Sequence, residues 1–391
     1  HWIALALIAV VGTLPFWVSD LDLRVAAWFE DPGAADPWPA LQRPIWLLLY
    51  QLAPVLVGVV MLASLVTLAG GVLWPRLARW RPHALLVIAV MALGPGLVVN
   101  ALLKEHWGRP RPHQTLELGG TQAFVPPLAM GEDRRGKSFP CGHSSAGFAL
   151  LVFPLLWRRR RPRLALAGFV VVIALGGLLG VGRMAAGDHF LSDVIWSGVI
   201  AYGIALALYI SMRIPEREDA MADHTLTHSL AARHPVMLGA AFTVSAAGML
   251  MAVLAATPVH DNRTVLIRRA DLAGPPGALR ILADQAEVMV SWHPETKTAA
   301  RILVKGRGFG LPGTRVVNTL EHSGADATLE INHQGVFTER DTSITLFANP
   351  RAWSRIEIAT AAGDIRVDPE PEGAPALMLE TGAGKVLRDD V

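Results

Sequence analysis

The chain has 391 residues, 52% of them hydrophobic and 17% charged, with a formal net charge of +2 and a mean hydropathy of +0.38. An ordinary soluble domain carries roughly 25% charged residues, so the composition points to a bilayer, and the near-neutral balance offers no basic footprint for a nucleic-acid partner. Cys141 is the single cysteine, which excludes an intrachain disulfide.

A helix needs about 20 mostly apolar residues to cross the hydrocarbon core. Segments of that character recur at Trp2–Val18, Leu47–Leu73, Ala84–Leu103, Ser144–Trp157, Leu164–Val181, Asp193–Ile210 and Val236–Ala256. The fourth is short and counts as a span only if the turn Pro140–Ser145 starts its helix. Between the first two, the acidic loop Ser19–Gln42 predicts a short amphipathic helix around Leu21–Phe29, lying at the interface. Arginines gather in alternate loops: Arg76, Arg79 and Arg81, then Arg158–Arg161 with Arg163, then Arg213, Arg217 and Arg233. Positive loops stay cytoplasmic, so the opposite span ends face outward. Read as a nucleic-acid patch, the run at 158–163 would not need to follow an apolar span.

After Thr257 the pattern changes. Segments such as Glu287–Trp292, Arg301–Lys305, Thr328–Asn332 and Arg355–Ala359 alternate apolar and polar residues between Gly and Pro, which reads as short strands. Ser354–Val367 and Ala325–Val336 share a strand–Gly–strand look. The predicted organisation is a helical membrane core over 1–213, a cytoplasmic linker over 214–234, a further transmembrane helix over 235–257 and an all-β extracytoplasmic domain, a sandwich or small solenoid, over 258–391.

Three polar clusters fall at outward span ends. Lys104–Pro112 closes the third span, Ser138–Ser145 opens the fourth, and Gly182-Arg183 with His189–Asp193 bridges the fifth and sixth. On a helix His189 and Asp193 would share a face, and a carboxylate that holds one imidazole nitrogen leaves the other nucleophilic. Pro140-Cys141-Gly142-His143 precedes an apolar helix whose first N–H groups suit an anion, with Gly142 allowing close approach. Lys104, Arg111 and Arg183 supply cations for a phosphate, and His143 supplies a proton donor for a departing alkoxide. Phosphoryl transfer needs chiefly positioning and charge neutralisation.

Lys104-x6-Arg111-Pro112, Pro140-Cys141-Gly142-His143 and Gly182-Arg183-x5-His189-x3-Asp193 together resemble the type 2 phosphatidic acid phosphatase (PAP2) superfamily, whose pattern is K-x6-R-P, P-S-G-H and S-R-x5-H-x3-D. The resemblance covers roughly Leu47–Arg213. It implies a six-helix core and a phosphohistidine intermediate, with His189 as nucleophile, Asp193 as its partner and His143 as the acid and then the base. It also implies phosphate binding by Lys104, Arg111, Arg183 and Gly142. Cys141 stands where the family has Ser and Gly182 where Ser commonly precedes the Arg; a thiol is the weaker donor, so phosphate there leans on backbone N–H groups. Cys141 as nucleophile would call for Arg at position 147, which is Gly147.

The expected activity is metal-independent removal of phosphate from a membrane lipid at the periplasmic face of a bacterial inner membrane, with no cofactor. Undecaprenyl diphosphate, phosphatidylglycerol phosphate, phosphatidate and lipid A are the candidate substrates; Gly119–Phe124 and His189–Asp193 are somewhat similar to bacterial lipid A phosphatases. A phosphotransferase using the same phosphohistidine and a non-enzymatic envelope sensor stand as alternatives, and vanadium haloperoxidases, mainly soluble, resemble the same constellation. The β-domain is expected to bind envelope polymer, a partner protein or its own core. His106 and His113 lack the spacing of a zinc site and read as loop or headgroup contacts. Asp188 would point away from His189 on a helix, and Asn100 and Pro95 read as helix packing or a kink.

Overall fold

The computed structural model describes residues 1–31, 37–39, 44–131, 136–216, 257–272, 274–293 and 298–388. These residues fall into two compact units, one helical and one of strands. Most of the expected linker, the last predicted span Val236–Ala256 and parts of the loop Ser19–Gln42 lie outside the described residues.

The helical unit runs α1 Trp2–Val11, α2 Leu14–Val18, α3 Leu21–Ala27, α4 Pro44–Leu73, α5 Pro75–Ala78, α6 Arg81–Met91, α7 Gly142–Ala149, α8 Val152–Trp157, α9 Pro162–Ala185 and α10 Leu191–Ser211. Among the described residues four stretches are long and apolar enough to cross a membrane: 44–71, 81–104, 162–185 and 191–211. The N-terminal pair, bent by 85° before α3, makes a fifth if it counts as one broken span. Their outward faces are apolar, with Ile3, Val18, Val59 and Leu166 among the exposed residues, as lipid-facing helices require. The fourth predicted span is shorter: α7 and α8 together cover Gly142–Trp157, and its helix does start at the Pro140–Ser145 turn.

Two local features shape the end of the unit where the polar clusters meet. The helix that starts as α6 continues as a π-helical segment over Ala92–Lys104, with Pro95 inside it. Asn100 donates its amide to the Pro95 carbonyl at 2.7 Å, so it serves the widened turn that follows a proline. In the 185–191 connection, Gly187 adopts φ +72°, a left-handed conformation cheap only for glycine. That turn redirects the chain from α9 into α10.

The second unit is all β. Among the described residues its eleven strands form two sheets, one of six and one of five. The strands β6 (Asp326–Gln334) and β7 (Phe337–Ala348), β2 (Ala278–Ala283) and β3 (Glu287–Trp292), β8 (Arg355–Thr360) and β9 (Ile365–Val367), and β10 (Ala376–Thr381) and β11 (Val386–Arg388) stack as parallel rungs. Alternate side chains line up between them: Ile281 beside Leu329 and Ile358, Val288 beside Ile344 and Ile365. All six are buried in one core. Ser354–Val367 and Ala325–Val336 thus belong to rungs of the same kind, β8–β9 and β6–β7. A sandwich and a solenoid describe the same object: two sheets wound as one coil, with β1 (Thr257–Arg268), β4 (Thr298–Gly310) and β5 (Arg315–Ser323) extending it by antiparallel pairing.

Candidate active site

The chain direction of each helix explains why the polar clusters meet. The α6–π segment begins at Arg81 and ends at Lys104. The α7–α8 pair begins at Gly142 and ends beside Arg158; α9 runs from Arg163 to Arg183, and α10 from Asp193 toward Arg213. Each therefore carries a cluster residue at one end and arginine at or just beyond the other.

His143, in the first turn of α7, is buried and lies against α4. Its Nε2 is 3.0 Å from the Tyr50 carbonyl, and its ring is 5.1 Å from the Tyr50 ring. A carbonyl only accepts, so Nε2 carries the proton and Nδ1 is the nitrogen turned to other work. Arg183 lies with its guanidinium 4.4 Å from the same Tyr50 ring, a cation–π contact on a residue for which the sequence offers no motif.

Gly142 opens α7 against the π-helical segment. A Cβ at this position would stand 2.6 Å from the Asn100 side-chain oxygen, so a larger residue would have to push that amide aside. Cys141 caps the helix, is fully buried, and its sulfur faces His189 and the Ser144 N–H.

The three cations are buried rather than spread on the surface: Lys104 is 6% exposed and Arg111 and Arg183 are 3% each. Asp188, which a helical reading turned away, sits between the two arginines. Arg111 donates to Asp188 Oδ1 at 3.3 Å, and Arg183 Nη2 lies 3.1 Å from Asp188 Oδ2. Residues 186–190 of that connection are not helical, and this is what turns Asp188 inward. His113 ties the loop after Arg111 to the same connection, its Nδ1 2.7 Å from the Gly187 carbonyl. His106 instead faces the Leu102 carbonyl at 2.8 Å.

His189 also lies before the helix. Its Nδ1 donates to the Ser138 carbonyl at 2.5 Å, while the Asp193 carboxylate is 3.8 Å away, beyond hydrogen-bond reach. The carbonyl fixes the tautomer: Nδ1 holds the proton and Nε2 presents its lone pair. Asp193 spends its oxygens elsewhere. Oδ2 accepts from the Phe190 N–H at 2.8 Å and from the Ser138 hydroxyl at 2.6 Å; Oδ1 accepts from Arg109 at 2.5 Å. It thus caps α10 and holds Ser138, whose carbonyl holds His189. Burial opposes a charge on His189, but the Cys141 sulfur and the Asp193 carboxylate outweigh it, and the imidazole is held above its ordinary value.

All eight residues singled out in the sequence therefore gather at one end of the helical unit. Sequence reasoning missed four: Tyr50, Ser138, Arg109 and Asp22. Arg109 is fully buried and joins Asp193 to Asp22 of α3. Asp22 left one signal. It shares a helical face with Val25 and Ala26, which are also buried, and a carboxylate on the apolar face of an amphipathic helix wants a partner.

Residues 83–216 match the PAP2 superfamily model. The chain is 38% identical over 136 residues to a lipid A 4'-phosphatase of Francisella tularensis subsp. novicida (strain U112), covering 34% of this chain and 60% of that protein. It is 38% identical over 126 residues to a lipid A 4'-phosphatase of Rhizobium etli (strain ATCC 51251 / DSM 11541 / JCM 21823 / NBRC 15573 / CFN 42), covering 31% of this chain and 48% of that protein. The chain thus spans about half to three-fifths of the length of these curated relatives. Among solved structures, a transmembrane PAP2 type phosphatidylglycerolphosphate phosphatase from Bacillus subtilis aligns with 19% identity and a TM-score of 0.32, over 56% of this chain and 94% of that one. The chain carries a PAP2 superfamily domain at residues 83–216.

Proposed function

We propose that this protein is a membrane phosphatase that removes a phosphate from a lipid at the extracytoplasmic face, through a phosphohistidine on His189, and that its substrate is a phosphorylated glycolipid of the lipid A type. The observation that carries the reaction class is the burial of His143, His189, Lys104, Arg111 and Arg183 around the start of α7. The substrate assignment rests on the two curated relatives, whose names specify the 4'-phosphate of lipid A.

The geometry supports a two-step displacement. Nε2 of His189, freed because Nδ1 is bound to the Ser138 carbonyl, attacks phosphorus, and a P–N bond forms as the P–O bond to the lipid breaks. His143 gives a proton to the departing alkoxide. For this step His143 is the imidazolium: it keeps Nε2–H on the Tyr50 carbonyl, gives up the proton on Nδ1 and is left as the neutral ring. His143 then takes a proton from water, the hydroxide attacks phosphorus, the P–N bond breaks and phosphate leaves. Lys104, Arg111 and Arg183 offset the charge on the phosphoryl oxygens, and the first N–H groups of α7 assist them.

The orientation follows from the opposite ends of the same helices. Arg81, Arg158–Arg161, Arg163 and Arg213 lie at or beyond the ends away from the site, and the positive-inside rule puts those in the cytoplasm. The test is phosphate release by purified protein from lipid A, phosphatidate, phosphatidylglycerol phosphate and undecaprenyl diphosphate, without an added acceptor lipid. Free phosphate from lipid A, absent in His189→Ala, supports the reading. Release only when an acceptor lipid is present makes the protein a phosphotransferase, equal activity in both proteins ends the role of His189, and no release from any of the lipids ends the phosphatase reading.

A further inference from the structure

Asp22 lies on α3, some sixty residues before the matched PAP2 region begins, yet it reaches the centre of the candidate site. Its Oδ1 accepts the Ser192 backbone N–H at 3.0 Å. Its Oδ2 accepts the Ser192 hydroxyl at 2.5 Å and Arg109 Nη2 at 2.8 Å. Arg109 gives Nη1 to the Ser192 hydroxyl at 2.8 Å and to Asp193, and Nε to the Val125 carbonyl at 2.8 Å. Its guanidinium lies 4.6 Å from the Phe190 ring and 5.7 Å from the Phe124 ring.

We propose that Asp22 is a positioning residue for the His189–Asp193 pair, so that the N-terminal interfacial helix completes the catalytic centre. This inference rests on the phosphatase reading above.

Two physical arguments carry it. The first concerns α10. The early N–H groups of a helix have no partner within it. Asp193 takes the one at Phe190 and Asp22 takes the one at Ser192. Asp22 therefore caps, from another segment, the helix turn that carries Asp193. The second concerns charge. Asp193 faces Arg109 and His189. Asp22 faces Arg109 and Asp193. His189 faces Asp193, the Cys141 sulfur and Arg183, and His143 on α7 also feels its charge. Arg109 alone would neutralise Asp193. Asp22 accepts three hydrogen bonds, which favour its carboxylate form, and with Asp22 ionised the buried set Asp22–Arg109–Asp193 keeps one net negative charge beside His189. That charge steadies positive charge on the His189 ring, while Arg183 across the pocket is paired with Asp188.

The bland reading is a fold anchor that only ties α3 to α10. The two differ in what the nucleophile feels. The test compares Asp22→Asn with wild type and with Asp20→Asn, an exposed control on the same segment that pairs with Arg24. We expect Asp22→Asn to lower kcat by about 10- to 100-fold, the scale of a small misplacement of a reacting group, with KM held within about twofold. We also expect the acid limb of its pH profile to move to lower pH, because His189 loses a negative neighbour. Asp20→Asn should match wild type. Carbethoxylation of His189 by diethyl pyrocarbonate, followed by mass spectrometry across pH, reads the same midpoint without any substrate. If the wild type releases no phosphate, the phosphatase reading fails, while this midpoint still decides the role of Asp22. An unmoved midpoint in folded Asp22→Asn overturns the proposal, whether or not kcat falls. Should Asp22→Asn fail to fold, Asp22→Ser keeps a small acceptor near the Ser192 N–H and removes the charge; a midpoint moved to lower pH then supports the proposal, and an unmoved one overturns it.

Discussion

His189 and Asp193 are four residues apart and close in space, but they do not share a hydrogen bond: Nδ1 stands 3.8 Å from the nearer carboxylate oxygen. The reason is local. Phe190 is extended, with φ −85° and ψ 164°, and α10 begins only at Leu191, so the one-turn spacing of a helix does not apply. Ser138 stands between them, its hydroxyl on the carboxylate and its carbonyl on the imidazole.

Asp193→Asn should therefore cost less than His189→Ala. Under the proposed mechanism His189→Ala is expected to reduce phosphate release by at least about 10³-fold, and His143→Ala by about 10²- to 10⁴-fold. Asp193→Asn keeps the Ser138 carbonyl as the group that sets the tautomer, and we expect a loss of about 10- to 100-fold in kcat. It also leaves Arg109 with one buried counter-charge fewer. Breaking a buried pair costs about 3–5 kcal/mol, so the thermal midpoint should fall as well. Steady-state kinetics and thermal unfolding in detergent check both.

Cys141→Ser should keep activity. The thiol is a poor donor, and the start of α7 with Arg183 supplies most of what a phosphate needs. The pH profile should move in a definite direction. In the proposed mechanism attack requires unprotonated His189, so rate is lost as pH falls through its pKa. That pKa is held above the ordinary imidazole value, and the facing Cys141 sulfur is among the causes. A wild-type acid limb above about 6.5 is expected, with that of Cys141→Ser at lower pH. An identical limb in both proteins would remove the sulfur from the account.

Gly142→Ala should be severe, because its Cβ would stand 2.6 Å from the Asn100 oxygen in a place where both helices carry the site. We expect a loss of activity of about 10²-fold. Asn100→Ala added to Gly142→Ala opens the space and should recover part of it. A double variant no better than the single one would mean that the methyl blocks phosphate itself.

Much of this arrangement was legible before any coordinate. Lys104, Arg111, Cys141–His143, Arg183, His189 and Asp193 stand out because cations and imidazoles at the ends of apolar spans are costly and positioned, and the arginine loops assign those ends to one side. The strands of the second unit were legible from period-two alternation, but their winding was not: parallel rungs such as β2–β3 on β8–β9 depend on pairing across 77 residues. Asp188 was misread because a helix was assumed where Gly187 breaks it. Arg109 lies in the same cluster as Arg111, yet nothing in its spacing distinguishes a residue that holds a carboxylate from one that faces substrate. Tyr50 acts through its backbone carbonyl and its ring face, and backbone contacts leave no mark in a sequence.

The most direct measurement is the site of the covalent intermediate. Purified protein mixed with phosphorylated lipid A, quenched within the first turnover under alkaline conditions and digested for mass spectrometry, should carry phosphate on His189 and none in His189→Ala. Phosphate on Cys141, or full turnover by His189→Ala, would contradict the account.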